Sequence, residues 1–312
     1  MTTPARHLLS SSDLTAEEVA ALLDCALALK ARPQRLLEGR QLALVFEKPS
    51  LRTRVSFQVA MRHLGGETIY LAPAEVGLGD REPIRDVARA LARYVDIVAV
   101  RTFGQDIIEE YARYSAIPVI NALTNQEHPC QALADVLTLR EKFGPDLRGV
   151  SLAFVGDGNN VSSSLVTTAA SLGMDIRFAS PRGYGLPESI ATEAAVRCRA
   201  AGGNFLTTND PAVAVQGARV LYTDTWTSMG FEREAEQRRI DFAAFQLNRD
   251  LVAGAAAGAL IMHDLPAHRG EEITNDVFES PTSIIFDQAE NRTWAQAAVV
   301  AFLLGVHHLV QP

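Results

Sequence analysis

The 312-residue sequence contains few cysteines and no long apolar run. Cys25, Cys130 and Cys198 lie far apart, a pattern that fits neither a disulfide framework nor a cysteine-based zinc site and indicates a reducing compartment. The N-terminus lacks the apolar core of a signal peptide, and no segment reaches the roughly 18 uncharged apolar residues of a membrane span. We therefore expect a cytoplasmic protein that does not associate with membranes.

Basic residues are also in deficit. The sequence contains 29 Lys and Arg residues against 37 Asp and Glu residues, which gives a net charge of −8. This balance argues against nucleic-acid binding as the main role. A local cluster of arginines in such an acidic protein can still bind a small anion, so the positions of the arginines are informative.

Short apolar runs alternate with helical patterns along the whole chain. Thr15 and Glu18 have the spacing of a capping box, which predicts a first helix over residues 15–30. The alternation predicts an α/β fold with parallel sheets flanked by helices. The predicted strands span residues 42–46, 68–71, 97–101 and 118–122 in the first half, and 150–155, 176–179, 220–223, 259–262 and 283–286 in the second.

The length allows two domains of similar size. A predicted helix over residues 129–143 is followed by Gly144-Pro145-Asp146, a strong stop signal. We therefore predict domains over residues 1–144 and 145–291, with a C-terminal helix from 292 to 312 that packs back on the first domain. Polar residues follow predicted strands in both halves. Because functional groups of open α/β sheets gather beyond the carboxyl ends of strands, we expect the active site in the cleft between the domains.

Two motifs in the first half are candidates for anion and carbonyl recognition. Ser50-Leu51-Arg52-Thr53-Arg54 follows a strand and opens a helix, where free N–H groups, hydroxyls and guanidinium groups can hold a phosphate. A capped helix with solvated arginines is the alternative. His128-Pro129-Cys130-Gln131 opens another helix, so His128 and Gln131 can reach one carbonyl or amide group. Alternatively, His128 is only the helix cap.

Three segments of the second half end in polar residues. Residues 156–160 form a tight turn that frees an asparagine side chain. Val161 replaces the third glycine of a dinucleotide fingerprint, so no nicotinamide or flavin cofactor is expected. Residues 224–230 are predicted to form a loop in which Asp224 suits a substrate ammonium; an ordinary surface loop is the alternative. Asp264 follows a buried strand, as a cap or as a functional group; Pro266 rules out helical metal-ligand spacing there, so no metal is expected.

These motifs, in this order, resemble the aspartate/ornithine carbamoyltransferase family, and within it the ornithine-specific branch. The likeness covers nearly the whole chain. The family's phosphate motif, its H-P-x-Q motif, an isolated strand-end arginine, D-x-W-x-S-M-G and F-D-x-A-E-N-R all have counterparts. They correspond to residues 50–54, 128–131, Arg101, residues 224–230 and residues 286–292.

The resemblance implies transfer of the carbamoyl group of carbamoyl phosphate to the δ-amine of L-ornithine, giving L-citrulline and phosphate in arginine metabolism. It implies no cofactor. Arg101, His128 and Asp264 are the implied catalytic residues. The implied carbamoyl phosphate site comprises Ser50, Leu51, Arg52, Thr53, Arg101, His128, Pro129, Cys130, Gln131, Asp264, Leu265 and Arg292, and the ornithine site comprises Asn160, Asp224, Ser228 and Met229. Leu265 contributes through its backbone, and Gln131 accepts from the carbamoyl amide.

The family's catalytic unit is a trimer in which a neighbouring subunit's loop reaches the phosphate site, so a homotrimer or a multiple of trimers is expected. Three positions depart from the family pattern. Leu51 replaces a threonine at a position where the backbone of the residue suffices for phosphate binding. Gly77 stands where relatives place a glutamine or histidine of the inter-subunit loop, and Arg81 is the candidate substitute.

Asp264 is the third departure, because the family has a cysteine there. A nearby carboxylate raises the pKa of an amine by about 1–3 units, so we expect slower turnover more than weaker ornithine binding. Two alternatives follow: a carbamoyltransferase with a different amine acceptor, or a catalytically impaired binding or regulatory homologue.

Overall fold

The alternation of apolar runs and helical stretches produces one parallel sheet in each half of the chain. The computed structural model describes residues 5–79, 81–228 and 232–311. The chain divides into two units: unit 1 runs through Leu137 and resumes at Glu290, and unit 2 comprises Thr138–Ala289. The predicted fold class, two similar-sized units that each contain a parallel sheet flanked by helices, is confirmed.

Unit 1 contains a four-stranded parallel sheet in the order β2-β1-β3-β4. Strands β3 and β4 are buried along their whole length, as expected when helices cover both faces of a parallel sheet. The strands are β1 (Gln41–Phe46), β2 (Glu67–Leu71), β3 (Ile97–Arg101) and β4 (Val119–Leu123); the helices are α1 (Ala16–Ala31), α2 (Leu51–His63), α3 (Pro73–Val76), α4 (Ile84–Leu91), α5 (Gln105–Tyr114) and α6 (Pro129–Phe143).

Unit 2 contains a five-stranded parallel sheet in the order β7-β6-β5-β8-β9. Its strands are β5 (Ser151–Val155), β6 (Asp175–Ala179), β7 (Phe205–Thr208), β8 (Val220–Tyr222) and β9 (Leu260–Met262). Its helices are α7 (Asn160–Ser171), α8 (Glu188–Ala201), α9 (Pro211–Val215), α10 (Ala235–Asp241), α11 (Arg249–Val252) and α12 (Asn275–Phe278), and α13 (Ile285–Leu303) begins in unit 2 and ends in unit 1. The 3₁₀ turns of unit 2 are Glu232–Glu234 and Ala243–Phe245, and those of unit 1 are Ser11–Asp13 and His307–Leu309.

Two strand assignments differ from the sequence predictions. The strand predicted over residues 283–286 is wrong: Ser283 forms an isolated bridge with Ile261, and α13 begins at Ile285. Four apolar or small residues cannot distinguish a strand from the first turn of a helix. Strand β7 was not predicted, because it is a partly exposed edge strand that lacks a continuous apolar run.

The unit boundary lies inside helices. Helix α6 ends at Phe143 as predicted, but the units divide at Leu137/Thr138 within α6 and at Ala289/Glu290 within α13. A helix of 15 residues is about 22 Å long, so its two ends can pack in different units. The Gly144-Pro145-Asp146 sequence therefore marks the end of α6 and does not mark the boundary between the two units.

The end of α13 packs on unit 1, as predicted for the C-terminal helix. The Trp294 ring stacks on His63 of α2 at 4.8 Å between centroids. Lys30 of α1 donates to the Asn291 side chain at 2.9 Å. The helix begins at Ile285, earlier than predicted, so Arg292 lies in its interior rather than at its start. Within the described residues, no helix is long and apolar enough to cross a bilayer.

Candidate active site

The first polar cluster in unit 1 lies at the start of α2, directly after β1. Ser50 caps the helix by accepting a hydrogen bond from the Thr53 N–H at 3.3 Å. The cap leaves the N–H groups of Leu51 and Arg52 pointing out of the helix start, where they favour an anion. The Leu51 side chain is 75% exposed, so any contribution of this residue comes from its backbone.

Thr53 is the point where two buried arginines meet. Its Oγ1 accepts hydrogen bonds from Arg101 Nη1 at 3.4 Å and from Arg292 Nη2 at 2.7 Å. The two arginines are only 5% and 4% exposed. Adjacent buried cations are costly unless an anion compensates them, and guanidinium groups match phosphate and carbonyl oxygens. Arg54 instead lies outside this cluster, exposed and stacked on Tyr70 at 3.7 Å.

His128 lies near the two buried arginines and is itself neutral. Burial, together with the charges of Arg292 and Arg101, holds the pKa of His128 well below its ordinary value. The imidazole can therefore donate a hydrogen bond to a carbonyl oxygen without carrying a charge. The His128 carbonyl also accepts from the Gln131 N–H at 3.0 Å, so this residue directly precedes the first turn of α6.

Pro129 and Cys130 occupy the first two positions of α6. Proline suits a first helical position because its missing N–H would have no helical partner there. Burial raises the pKa of the Cys130 thiol to about 12, which keeps it neutral. Cys130 is therefore a packing residue of the site and not a nucleophile.

Gln131 presents an amide oxygen in the same buried region. It is fully buried, and its Nε2 donates to Asp135 Oδ1 at 2.8 Å. Its Oε1 has no hydrogen-bond partner among the described residues. Asp135 was not predicted from the sequence, although its position four residues beyond Gln131 on one helix is a signal for contact.

In unit 2, the turn between β5 and α7 positions an asparagine. Gly158 allows the turn, because a Cβ there would lie 2.1 Å from the Gly185 carbonyl oxygen. Asn159 caps α7, and its Nδ2 donates to Asp224 Oδ2 at 2.6 Å and to Ser228 Oγ at 3.4 Å. Asn160 was predicted from the sequence and Asn159 was not, because the pattern does not distinguish the cap from the first helical residue.

Asp224 follows β8 and is 6% exposed. Its carboxylate accepts from Asn159 and from the Thr225 N–H at 2.6 Å. One carboxylate oxygen of Asp224, one ring nitrogen of His263 and one carboxylate oxygen of Asp264 all lie within 4.8 Å of one another. The two carboxylates thus form one acidic group that suits a cationic substrate. Met229 lies outside the described residues.

The turn after β9 is held by His263. The Leu265 N–H donates to His263 Nδ1 at 3.0 Å, and Nε2 lies 2.9 Å from Glu272 Oε1. Because Nδ1 accepts, Nε2 carries the proton and donates to Glu272. Both ring nitrogens are thus engaged in hydrogen bonds that hold the turn. Leu265 has a φ of 64°, which costs about 1–2 kcal/mol for a non-glycine residue.

Asp264 lies between these two anchored neighbours. Its side chain is 10% exposed, and its Oδ1 lies 3.6 Å from His263 Nδ1. The fixed turn therefore holds the Asp264 carboxylate beside Asp224.

Comparison with known proteins decides the family. Residues 6–141 match the family model described as "Aspartate/ornithine carbamoyltransferase, carbamoyl-P binding domain", and residues 148–303 match "Aspartate/ornithine carbamoyltransferase, Asp/Orn binding domain".

The chain belongs to the aspartate/ornithine carbamoyltransferase family. It is 52% identical to an ornithine carbamoyltransferase of Acidothermus cellulolyticus over 96% of both chains. It is 49% identical to that of Pyrococcus abyssi, again over 96% of both chains. The solved structure of ornithine carbamoyltransferase from Pyrococcus furiosus is 48% identical, with a TM-score of 0.93 over 98% of this chain and 99% of the other.

Arg238 is a further residue of this carbamoyltransferase that the sequence analysis missed. This 6% exposed side chain donates to Asp157 Oδ2 at 2.7 Å, to the Trp226 carbonyl at 2.9 Å and to Glu234 at 3.0 Å. Burial raises the pKa of Asp157, and Arg238 opposes that effect. Arg238 thus ties the turn after β5 to the segment after β8. Apart from its place in a charged stretch, nothing in the sequence distinguishes it.

Proposed function

We propose that this protein transfers the carbamoyl group of carbamoyl phosphate to the δ-amine of L-ornithine, releasing phosphate and L-citrulline. The observation that carries the proposal is the pair of buried guanidinium groups that converge on Thr53 beside a neutral His128. Identity of about half to ornithine carbamoyltransferases, over 96% of both chains, supports ornithine as the acceptor. A relative that is 48% identical and is named an anabolic ornithine carbamoyltransferase supports arginine synthesis as the setting.

Unit 1 supplies the groups that suit carbamoyl phosphate. The N–H groups at the start of α2, with Ser50, Arg52 and Arg101, hold the phosphate. Arg101, Thr53 and His128 then face the carbonyl oxygen, with Arg292 beside them. These groups favour the negative charge that develops on that oxygen when the tetrahedral intermediate forms.

Unit 2 supplies the groups that suit ornithine. Asp224, with Ser228 and the neighbouring asparagines Asn159 and Asn160, suits the α-amino and α-carboxylate groups. The neutral δ-amine attacks the carbamoyl carbon, the bond from that carbon to the bridging oxygen of the phosphate breaks, and the attacking nitrogen loses a proton. The Asp264 carboxylate is the proposed acceptor of that proton. Catalysis then rests on positioning and on fixed charges.

Citrulline formation from carbamoyl phosphate and ornithine tests the proposal. Arg101→Met should lower turnover about 100- to 1000-fold, as loss of one oxyanion donor does in other enzymes. Arg54→Met, which removes an arginine outside the cluster, is the matched control and should leave turnover unchanged. Turnover only with another amine in an acceptor screen would favour a different acceptor. Binding of carbamoyl phosphate without phosphate release would favour the impaired homologue.

We also propose a homotrimer or a multiple of trimers. Leu51, Val55 and Val59 are exposed by 75%, 46% and 37% and are spaced by four residues along α2, so they form one apolar stripe. Such surface marks an interface in many proteins. Light scattering should give the mass of three chains, and Val55→Glu with Val59→Glu should lower it. A wild-type mass of one chain would reject the proposal.

The segment expected to contact a neighbouring subunit includes Gly77 and Arg81. Gly77 ends α3 in the left-handed conformation, with φ at 51°. Arg81 is exposed, and its Nη1 donates to the Glu75 carbonyl at 2.9 Å. We propose Arg81 as the residue that reaches the neighbouring phosphate site. The three buried free thiols support the proposed cytoplasmic location.

A further inference from the structure

The proposed function requires the protein to distinguish a carbamoyl group from other acyl groups, and the Gln131 amide is placed to do so. A carbamoyl group differs from an acetyl group of similar shape only by an NH₂ in place of a methyl group. A protein that selects the carbamoyl group therefore needs a hydrogen-bond acceptor for that NH₂. A glutamine amide carries an acceptor at one atom and donors at the other, so its orientation decides whether it attracts or repels the NH₂.

Asp135 determines that orientation. Both residues are fully buried, so neither can exchange its partner for bulk water. The Gln131 Nε2 donates to Asp135 Oδ1 at 2.8 Å, and a carboxylate offers only acceptor oxygens. A flipped amide would place two oxygens against each other. Because the nitrogen is thus occupied, Oε1 is the atom that remains without a partner among the described residues.

We propose that Asp135 is a positioning residue that makes the donor site selective for a carbamoyl group. It orients Gln131 so that its buried acceptor meets the donor's NH₂. The inference rests on the proposed function, since it assumes that the cluster around Thr53 holds carbamoyl phosphate.

Two stable phosphonates separate this role from general structural support. Phosphonoacetamide carries the NH₂, and acetonylphosphonate carries a methyl group in its place. Burying an acceptor without its donor costs affinity, so the wild type should prefer the amide roughly 10- to 100-fold. Calorimetric titration of both ligands and of inorganic phosphate measures this ratio directly.

Asp135→Ala should reduce the preference toward about 1 while phosphate affinity stays unchanged, because the Gln131 amide is then free to rotate. Asp135→Asn keeps an acceptor oxygen and should restore the preference to within about 2-fold of the wild type. Asp96→Ala is the matched control: it removes a carboxylate that pairs with Arg40 just before β3, and it should not change the ratio. Asp135→Ser is the second variant if the alanine variant does not fold.

Retention of the full amide preference in the folded alanine or serine variant would overturn the inference. So would an equal loss of affinity for all three ligands, which is the result expected of a merely structural residue. Equal affinity of the wild type for the two phosphonates would by itself overturn the inference. If the wild type prefers phosphonoacetamide but forms no citrulline, only the proposal of ornithine as the carbamoyl acceptor is rejected.

Discussion

Replacing Asp264 with cysteine removes one of two carboxylates that lie within 4.8 Å of each other. A δ-ammonium about 4 Å from a carboxylate, at an effective dielectric constant of about 20, gains roughly 4 kcal/mol, equivalent to about 3 pKa units. The Asp264 side chain is 10% exposed, and counterions reduce this effect, so we expect a rise of about 1–3 units in the amine's pKa. Asp264→Cys should remove that rise.

Citrulline formation measured from pH 6 to 10 for both proteins tests this reasoning. The pH at which kcat/KM reaches half its plateau should fall by about 1–3 units in Asp264→Cys. Below that pH, each unit provides roughly tenfold more reactive amine. Asp264→Asn, which keeps the shape and removes the charge, should shift the profile in the same direction.

Coincident profiles for the three proteins would refute the argument. An inactive wild type whose turnover is restored by cysteine would instead mark this chain as an impaired catalyst with intact binding sites.

Three further predictions follow from buried polar groups. Arg238→Met should lower the free energy of unfolding in urea by about 3–5 kcal/mol, because it leaves Asp157 buried without its cation. Adding Asp157→Asn should recover part of the loss. An unchanged free energy of unfolding in Arg238→Met would contradict this account. Because the folded-state pKa of His128 lies well below its unfolded value, stability should be fully present above about pH 6.5 and should fall below it by up to about 1.4 kcal/mol per pH unit. His128→Asn should flatten that slope, and equal slopes would rule the effect out. Glu272→Gln should cost about 1–3 kcal/mol in the same assay by weakening its bond to His263; full stability would show that this bond does not support the turn.

The periodicity of apolar residues was sufficient to predict most of the fold. Runs such as Ile97–Arg101 are buried on both faces and flanked by helices, so pattern alone located them. The errors lie where pattern is weak: at edge strand β7, and at residues 283–286, where one bridge precedes a helix. The domain punctuation at Gly144 predicted the end of a helix but not the division of the core.

The sequence by itself determined which chemical groups follow the strands, because the motif at residues 50–54, His128 and Asp224 each follow an apolar run along the chain. Only the tertiary structure decided which of these groups meet. Thr53 and Arg292 are 239 positions apart in the chain and form a hydrogen bond of 2.7 Å. The burial that makes His128 neutral and the cation that pairs with Asp157 both depend on residues that are distant in the chain. Hydrogen bonding and desolvation depend on spatial neighbours, and those neighbours exist only after the chain has folded.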